Sequence, residues 1–335
     1  FPSHNTVCVD GISSYPVMKS NHSFDLLSCF PATAESGSGF TSVTYSNVAF
    51  REPESRADQT RMMSIVTTGP ETGYYIDVFR SRKEQGGDKM HDYFYHNLGQ
   101  TMTLTAADGT DLNLQPTEEL AFAGAHLYAY SYLYDKKVAA TDKDVKVTFT
   151  IDMKDKDGDD ISMNLWMKGE PEREVFTALA PMTEGLSRIP GMPYNIKEQP
   201  TLTFVARQHG EAWNRPFVAV YEPSTRKEPS AIEAVSFFDA EEAGLKDFAG
   251  ICVESKNGRT DHIFSLSDSS QTATYRGMKV KADYAVISNE YAGNRTFFLG
   301  NGTQLITPDV SIRTSAAANV LLEQKQGKWY ILSSA

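Results

Sequence analysis

A chain of 335 residues with 40% hydrophobic side chains can bury more than one core, which sets two domains as the expectation and excludes a disordered polymer. Its net charge of -11 removes long-range attraction for nucleic acid or anionic lipid, although an acidic protein can still carry a locally basic cleft. No run approaches the roughly 20 apolar residues of a transmembrane helix, so no membrane insertion is expected.

Short Val/Thr/Tyr/Phe runs and 11% aromatic residues favour sheet over helix from the start of the chain. Thr6 to Val9 is apolar and β-branched and closes at Asp10-Gly11, so it reads as a strand. It begins close to Phe1, and neither Met nor a targeting segment opens the chain. A processed or truncated product with strands missing upstream is the expectation.

Further strands are read at Phe40 to Phe50, Met62 to Thr68, Tyr74 to Phe79, Asp92 to His96, Thr101 to Thr105 and Leu127 to Leu133, with Gly-Pro, Thr-Gly and Asp-Gly turns between them. Val145 to Met153 alternates apolar and polar, and Ile161 to Met167 answers it as a hairpin. Five prolines between Glu170 and Pro200 point to a long ordered loop. Strands follow at Leu202 to Arg207 and Phe217 to Tyr221, and the polar, proline-flanked run Pro223 to Ser230 is the best linker. Residues 231–335 then give seven more short strands, from Val235 to Phe238 through Trp329 to Leu332, with Asp239 to Leu245 as one candidate helical turn. The fold class is all-β: a large antiparallel β-sandwich over 1–230 and a smaller C-terminal one over 231–335.

Few residues announce chemistry. There is no GxSxG elbow, GxxxxGK loop, GxGxxG turn or HExxH pair, which leaves hydrolase and nucleotide readings without support. His91, Tyr93 and His96 form the tightest cluster, and they are the candidates for lining a substrate cleft. The two imidazoles are five apart, so on a straight strand they face opposite ways, and the competing reading is a strand of satisfied polar aromatics. Asp155, Asp157 and Asp159 mimic a calcium loop, but Gly158 falls one position early and no terminal acid follows, which favours a solvated turn. Arg51, Arg56, Arg61, Arg80 and Arg82 read by default as solvated surface. Cys8, Cys29 and Cys252 lack metal spacing and read as buried thiols, with a Cys8 to Cys29 bridge left open.

His4-Asn-Thr-Val-Cys-Val-Asp-Gly11 resembles a segment of the β-sandwich in heparinase II/III-like polysaccharide lyases. Tyr74 to Arg80, Gly86-Gly87, His91 to His96 and Pro216 to Pro223 are similar to later segments of that family in the same order. Val253 to Ser255, Asp261 to Ile263 and Phe298 to Gly302 look like the small C-terminal sandwich of its heparinase II branch.

The resemblance implies β-elimination on a uronate of an acidic polysaccharide or oligosaccharide, in a periplasmic or secreted enzyme. It also implies a preceding helical domain whose Tyr, His, Asn and Arg do the chemistry, so the catalytic residues are expected upstream of Phe1 and this chain alone is expected to be inactive. A structural zinc goes with the family. His4 matches its last ligand, and the companions would lie before Phe1, leaving the site incomplete here. The competing reading is a non-catalytic carbohydrate-binding or adhesive β-sandwich, with Tyr128, Tyr130 or Trp213 exposed on one flat face.

Overall fold

The computed structural model describes residues 3–12, 23–31, 42–121, 128–153, 159–183, 198–290 and 293–334, with single positions at 185, 188 and 196. In chain order the strands are β1 (Val7–Val9), β2 (Asp25–Phe30), β3 (Val43–Glu52), β4 (Ala57–Thr67), β5 (Gly73–Lys83), β6 (Met90–Asn97), β7 (Thr101–Ala106) and β8 (Gln115–Pro116). After one helical turn, α1 (Tyr128–Ser131), come β9 (Tyr134–Ala140), β10 (Val145–Ile151), β11 (Ile161–Met167), β12 (Glu174–Ala180), β13 (Thr201–His209) and β14 (Ala212–Thr225). The remainder is β15 (Ile232–Phe238), β16 (Ala249–Ser255), β17 (Thr260–Ser265), β18 (Ala273–Tyr275), β19 (Met278–Asn289), β20 (Arg295–Ile306), β21 (Ser311–Lys325) and β22 (Lys328–Ser334).

These strands make three antiparallel sheets. The first runs β1-β6-β13-β12-β9-β8, the middle one β2-β3-β4-β5-β14-β11-β10-β7, and the third β15-β16-β17-β19-β20-β21-β22 with β18 beside β19. Period-two alternation decides how they stack. On β5, Tyr75, Asp77 and Phe79 face the first sheet, while Tyr74, Ile76, Val78 and Arg80 face the third. One core, with Tyr93, Val147, Leu165, Phe204 and Phe217, lies between the first and middle sheets. A second, with Tyr45, Ile76, Val218, Ile251, Val286 and Phe298, lies between the middle and third.

The middle sheet is therefore covered on both faces. The outer face of the third sheet closes over a further core around Phe264, Val280 and Phe297. Its long strands carry register shifts beside Gly302, where an added Cβ would meet Ala282 Cβ at 2.3 Å. The turn after β14 is pinned by Glu222, which accepts from the backbone N–H of Ala231 (2.6 Å) and Ile232 (3.0 Å).

The expected hairpin forms with Val145 opposite Met167 and Ile151 opposite Ile161. Two expectations fail for physical reasons. Glu174–Ala180 is an interior strand of the first sheet, not loop. Pro171 and Pro181 bracket a proline-free run whose Val175 packs on one face and Phe176 and Ala178 on the other. The described part of Leu127 to Leu133 begins with a helical turn rather than a strand. Tyr130 and Leu133, three apart, are both buried while Tyr132 is 60% exposed, and so short an apolar run does not distinguish the two periods. The Asp239 to Leu245 segment forms a turn closed by Leu245 N–H to the Glu242 carbonyl (3.0 Å), without a helix. The Asp155–Asp157 part of the acidic turn lies outside the described residues.

Candidate functional site

The segment His4 to Gly11 acts as a clasp on the first sheet. Asn5 Oδ1 accepts from His96 N–H (2.7 Å), and the Thr6 carbonyl accepts from Phe94 N–H (2.8 Å). Asp10, with φ of 52°, accepts from Lys89 N–H (2.7 Å) and Met90 N–H (3.1 Å) and pairs with Lys83 (2.9 Å), which draws its carboxyl below the ordinary range against the opposing effect of burial. Gly86 and Gly87 both take positive φ in the β5–β6 connection, which explains a glycine pair there. Among the residues of these family-like segments, many thus have architectural duties.

The candidate cleft residues part company on β6. His91 is fully buried, with Nδ1 2.9 Å from Ser81 Oγ and Nε2 2.8 Å from Asp88 Oδ1. Burial lowers its pKa against the pull of Asp88, which favours the neutral imidazole. His96 points to the other face, its Nδ1 2.8 Å from Thr203 Oγ1 and its ring stacked beside Phe94. Tyr93 is buried between the sheets, where its hydroxyl donates to Asp77 Oδ2 (2.7 Å) and also meets the Tyr221 hydroxyl. Burial, followed by the nearby Asp77 charge, raises the Tyr93 pKa far above the phenol range. Neither His91 nor Tyr93 reaches a surface that a polymer could touch.

Of the site candidates, His4 does stand at an opening. Together with Asn5, Thr6, Phe24, Val48, Phe50, Gln59, Arg61 and Phe79 it lines a recess of about 250 Å³. The recess exists because β1 is the edge of the first sheet and lies over β4: Gln59 donates to the Val7 carbonyl (3.3 Å) and Arg61 to the Asn5 carbonyl (2.9 Å). Strands β3 and β2 extend past that edge, so Val48, Phe50, Phe24 and Leu26 floor an uncovered margin. Phe24 and Leu26 are 63% and 61% exposed. Arg61 forms the inner wall. It donates from Nε to Asp77 Oδ1 (3.0 Å) and from Nη2 to Oδ2 (2.7 Å), and its guanidinium lies 5.4 Å from the Phe79 ring centre. Burial is the largest single effect on Arg61 and lowers its pKa, but the charge and hydrogen bonds of Asp77 together outweigh it, so the net shift is upward.

His4 is exposed, and among the described residues no three His, Cys, Asp or Glu side chains gather to hold a metal. Among the described residues His4 therefore has no companion ligands, and by itself it does not make the zinc site that the resemblance implies. Cys8 and Cys29 are both thiols, so no bridge joins them, and burial pushes the Cys8 thiol far up in pKa. Tyr130 donates to buried Asp92 (2.7 Å), and Trp213 lies under the Arg82 guanidinium at 4.1 Å, so these two do not make a flat exposed aromatic face.

Sequence reading missed Arg61 as a wall residue by leaving it among solvated arginines. Arg80 is likewise buried, donating to the Asp247 and Ser265 carbonyls (2.9 and 3.1 Å) between the middle and third sheets, and burial lowers its pKa to about 10. The available signal was phase: Arg61 and Asp77 stand at inward positions of neighbouring strands, where a lone charge would be untenable.

Residues 235–324 match the sequence model of the family described as "Endo-acting ulvan lyase C-terminal domain". A curated relative, the endo-acting ulvan lyase of Formosa agariphila, is 33% identical over 231 residues, covering 67% of this chain and 26% of the relative. The matched family model and the relative are both named for ulvan lyases. The chain spans about a quarter of the relative's length.

Proposed function

We propose that this chain is the β-sheet part of a polysaccharide lyase of the heparinase II/III-like kind, which cleaves a uronate-bearing glycan by β-elimination. The observation that carries the reading is the 33% identity over 231 residues to a protein named for ulvan cleavage, and ulvan is accordingly the first substrate to try. Because such a polymer cannot cross a membrane unaided, the proposed place of action is the periplasm or the exterior.

β-Elimination removes the proton at C5 of the uronate, forms the C4–C5 double bond and expels the glycosidic oxygen at C4. It needs neutralisation of the carboxylate, a base within hydrogen-bond reach of the C5 proton and an acid for the leaving oxygen. The described residues of this chain favour a supporting role over that chemistry. Tyr93 and His91 are enclosed, and the Arg61 charge already faces Asp77 in a bidentate pair. The proposed division of labour gives glycan binding and support to this chain and proton transfer to another part of the enzyme.

The test incubates ulvan with the parent enzyme and, separately, with this chain, following the ultraviolet absorbance of the unsaturated product. Product from the parent alone is expected. Product from the isolated chain would overturn the division of labour, and none from either would overturn the lyase reading for ulvan.

A further inference from the structure

We infer that the recess beside His4 holds one uncharged sugar ring of the glycan, rather than its uronate. This rests on the lyase reading above and narrows it, since an acidic polymer would then be gripped in part through its neutral units.

Three observations lead there. The floor is apolar and aromatic: Val48, Phe50 and Phe79, with Phe24 at the lip and the Phe24 and Phe50 ring centres 5.0 Å apart. The face of an aromatic ring carries partial negative charge and attracts the C–H groups that line one side of a pyranose. Small-molecule sites characteristically combine such a floor with a few polar groups at the rim, and here His4 and Thr6 occupy that rim within reach of ring hydroxyls.

The second observation is charge. Arg61 is the cation of the wall, yet Asp77 takes Nε and Nη2, and the Asn5 carbonyl takes Nη1. A carboxylate or sulfate entering the recess would lose water, gain no unengaged cation from Arg61 and approach Asp77, which is the arrangement that makes burial of an anion unfavourable. A neutral ring loses less hydration than an ion and brings no charge toward Asp77.

The third is continuity. The same face of the middle sheet runs on from Arg61 and Asp77 through Met63 and Tyr75, which are 39% and 37% exposed. That provides a track on which neighbouring units of a chain can lie, whereas a pocket for a free monosaccharide would be closed around its ligand.

The experiment is titration calorimetry of this chain with ulvan and with ulvan whose carboxylates have been reduced and sulfates removed. Both polymers should bind, with affinities within about threefold of each other. Phe50→Ala should weaken both by about tenfold, as loss of one aromatic contact does. Phe24→Ala, at an exposed position that does not support the fold, should weaken both by about threefold. Circular dichroism checks that the variants fold.

Binding of native ulvan but not of the neutralised polymer would overturn the inference. So would unchanged binding in both variants, which would leave the recess to another protein segment, and so would absence of binding by the chain. If the parent still cuts ulvan in any of these cases, the subsite falls and the lyase reading stands; if the parent does not cut ulvan, the lyase reading falls by itself.

Discussion

The two interfaces of the middle sheet use the same chemistry and differ in access to water. Toward the third sheet, Arg259 donates to both Asp261 oxygens (2.9 and 3.1 Å), Tyr74 donates to Asp261 (2.6 Å), and Glu290 and Ser288 take the remaining guanidinium edge. Arg259 is 3% exposed and Asp261 0%. Toward the first sheet, Arg61, Asp77 and Tyr93 repeat the arrangement, but the Arg61 side chain is 23% exposed because β1 ends over it. A sealed triad serves cohesion between sheets. The same triad at an open margin also supplies a charge-neutral wall beside an aromatic floor, and that difference, rather than the identity of the residues, turns one of them toward ligand binding.

The strongest way to break this comparison is to remove the carboxylate from each triad. Asp261→Asn leaves enclosed Arg259 with part-exposed Glu290 as its remaining counter-charge and strips Tyr74 of its acceptor carboxylate, and the expected loss is about 3 kcal/mol of unfolding free energy by urea titration. Asp77→Asn should cost less, about 2 kcal/mol, because Arg61 can recover water through the recess. Equal losses from the two variants would mean that the recess does not relieve the buried charge and that the two interfaces are energetically alike.

How much of this could be read beforehand follows from what alternation reports. Strands with one apolar phase, such as Val145 to Ile151 against Ile161 to Met167, were legible because each residue's face is decided locally. Tyr134–Ala140 was not, since its Tyr-Asp-Lys-Lys opening is polar and it joins the first sheet through backbone pairing to Glu174–Ala180. The opposite orientation of His91 and His96 followed from strand geometry alone. The burial of His91 did not, because it depends on Ser81 and Asp88, ten and three residues away, being folded onto it. The recess was hidden for a related reason: its walls come from β3, β4, β5 and the segments before β1 and β2, and only the stacking of two sheets with unequal edges brings them together.

The smallest expected effect sharpens the comparison through pH. Burial is the leading cause of the lowered pKa of His91, so in the folded protein it gains its proton below the usual value of about 6.5. Between the folded and unfolded values the unfolded chain binds more protons, and stability therefore falls as pH falls through that window, being fully present above it. Half-buried His262, lowered by burial and then by Arg276, acts with the same sign, each histidine contributing at most about 1.4 kcal/mol per pH unit. His91→Gln should remove the larger share of the slope in urea midpoint between about pH 7 and 5, because His91 is wholly enclosed, and His262→Gln the smaller. The reverse ranking would show that the interface between the first and middle sheets admits water beyond the recess, and the distinction between an open margin and a dry interior behind it would no longer hold.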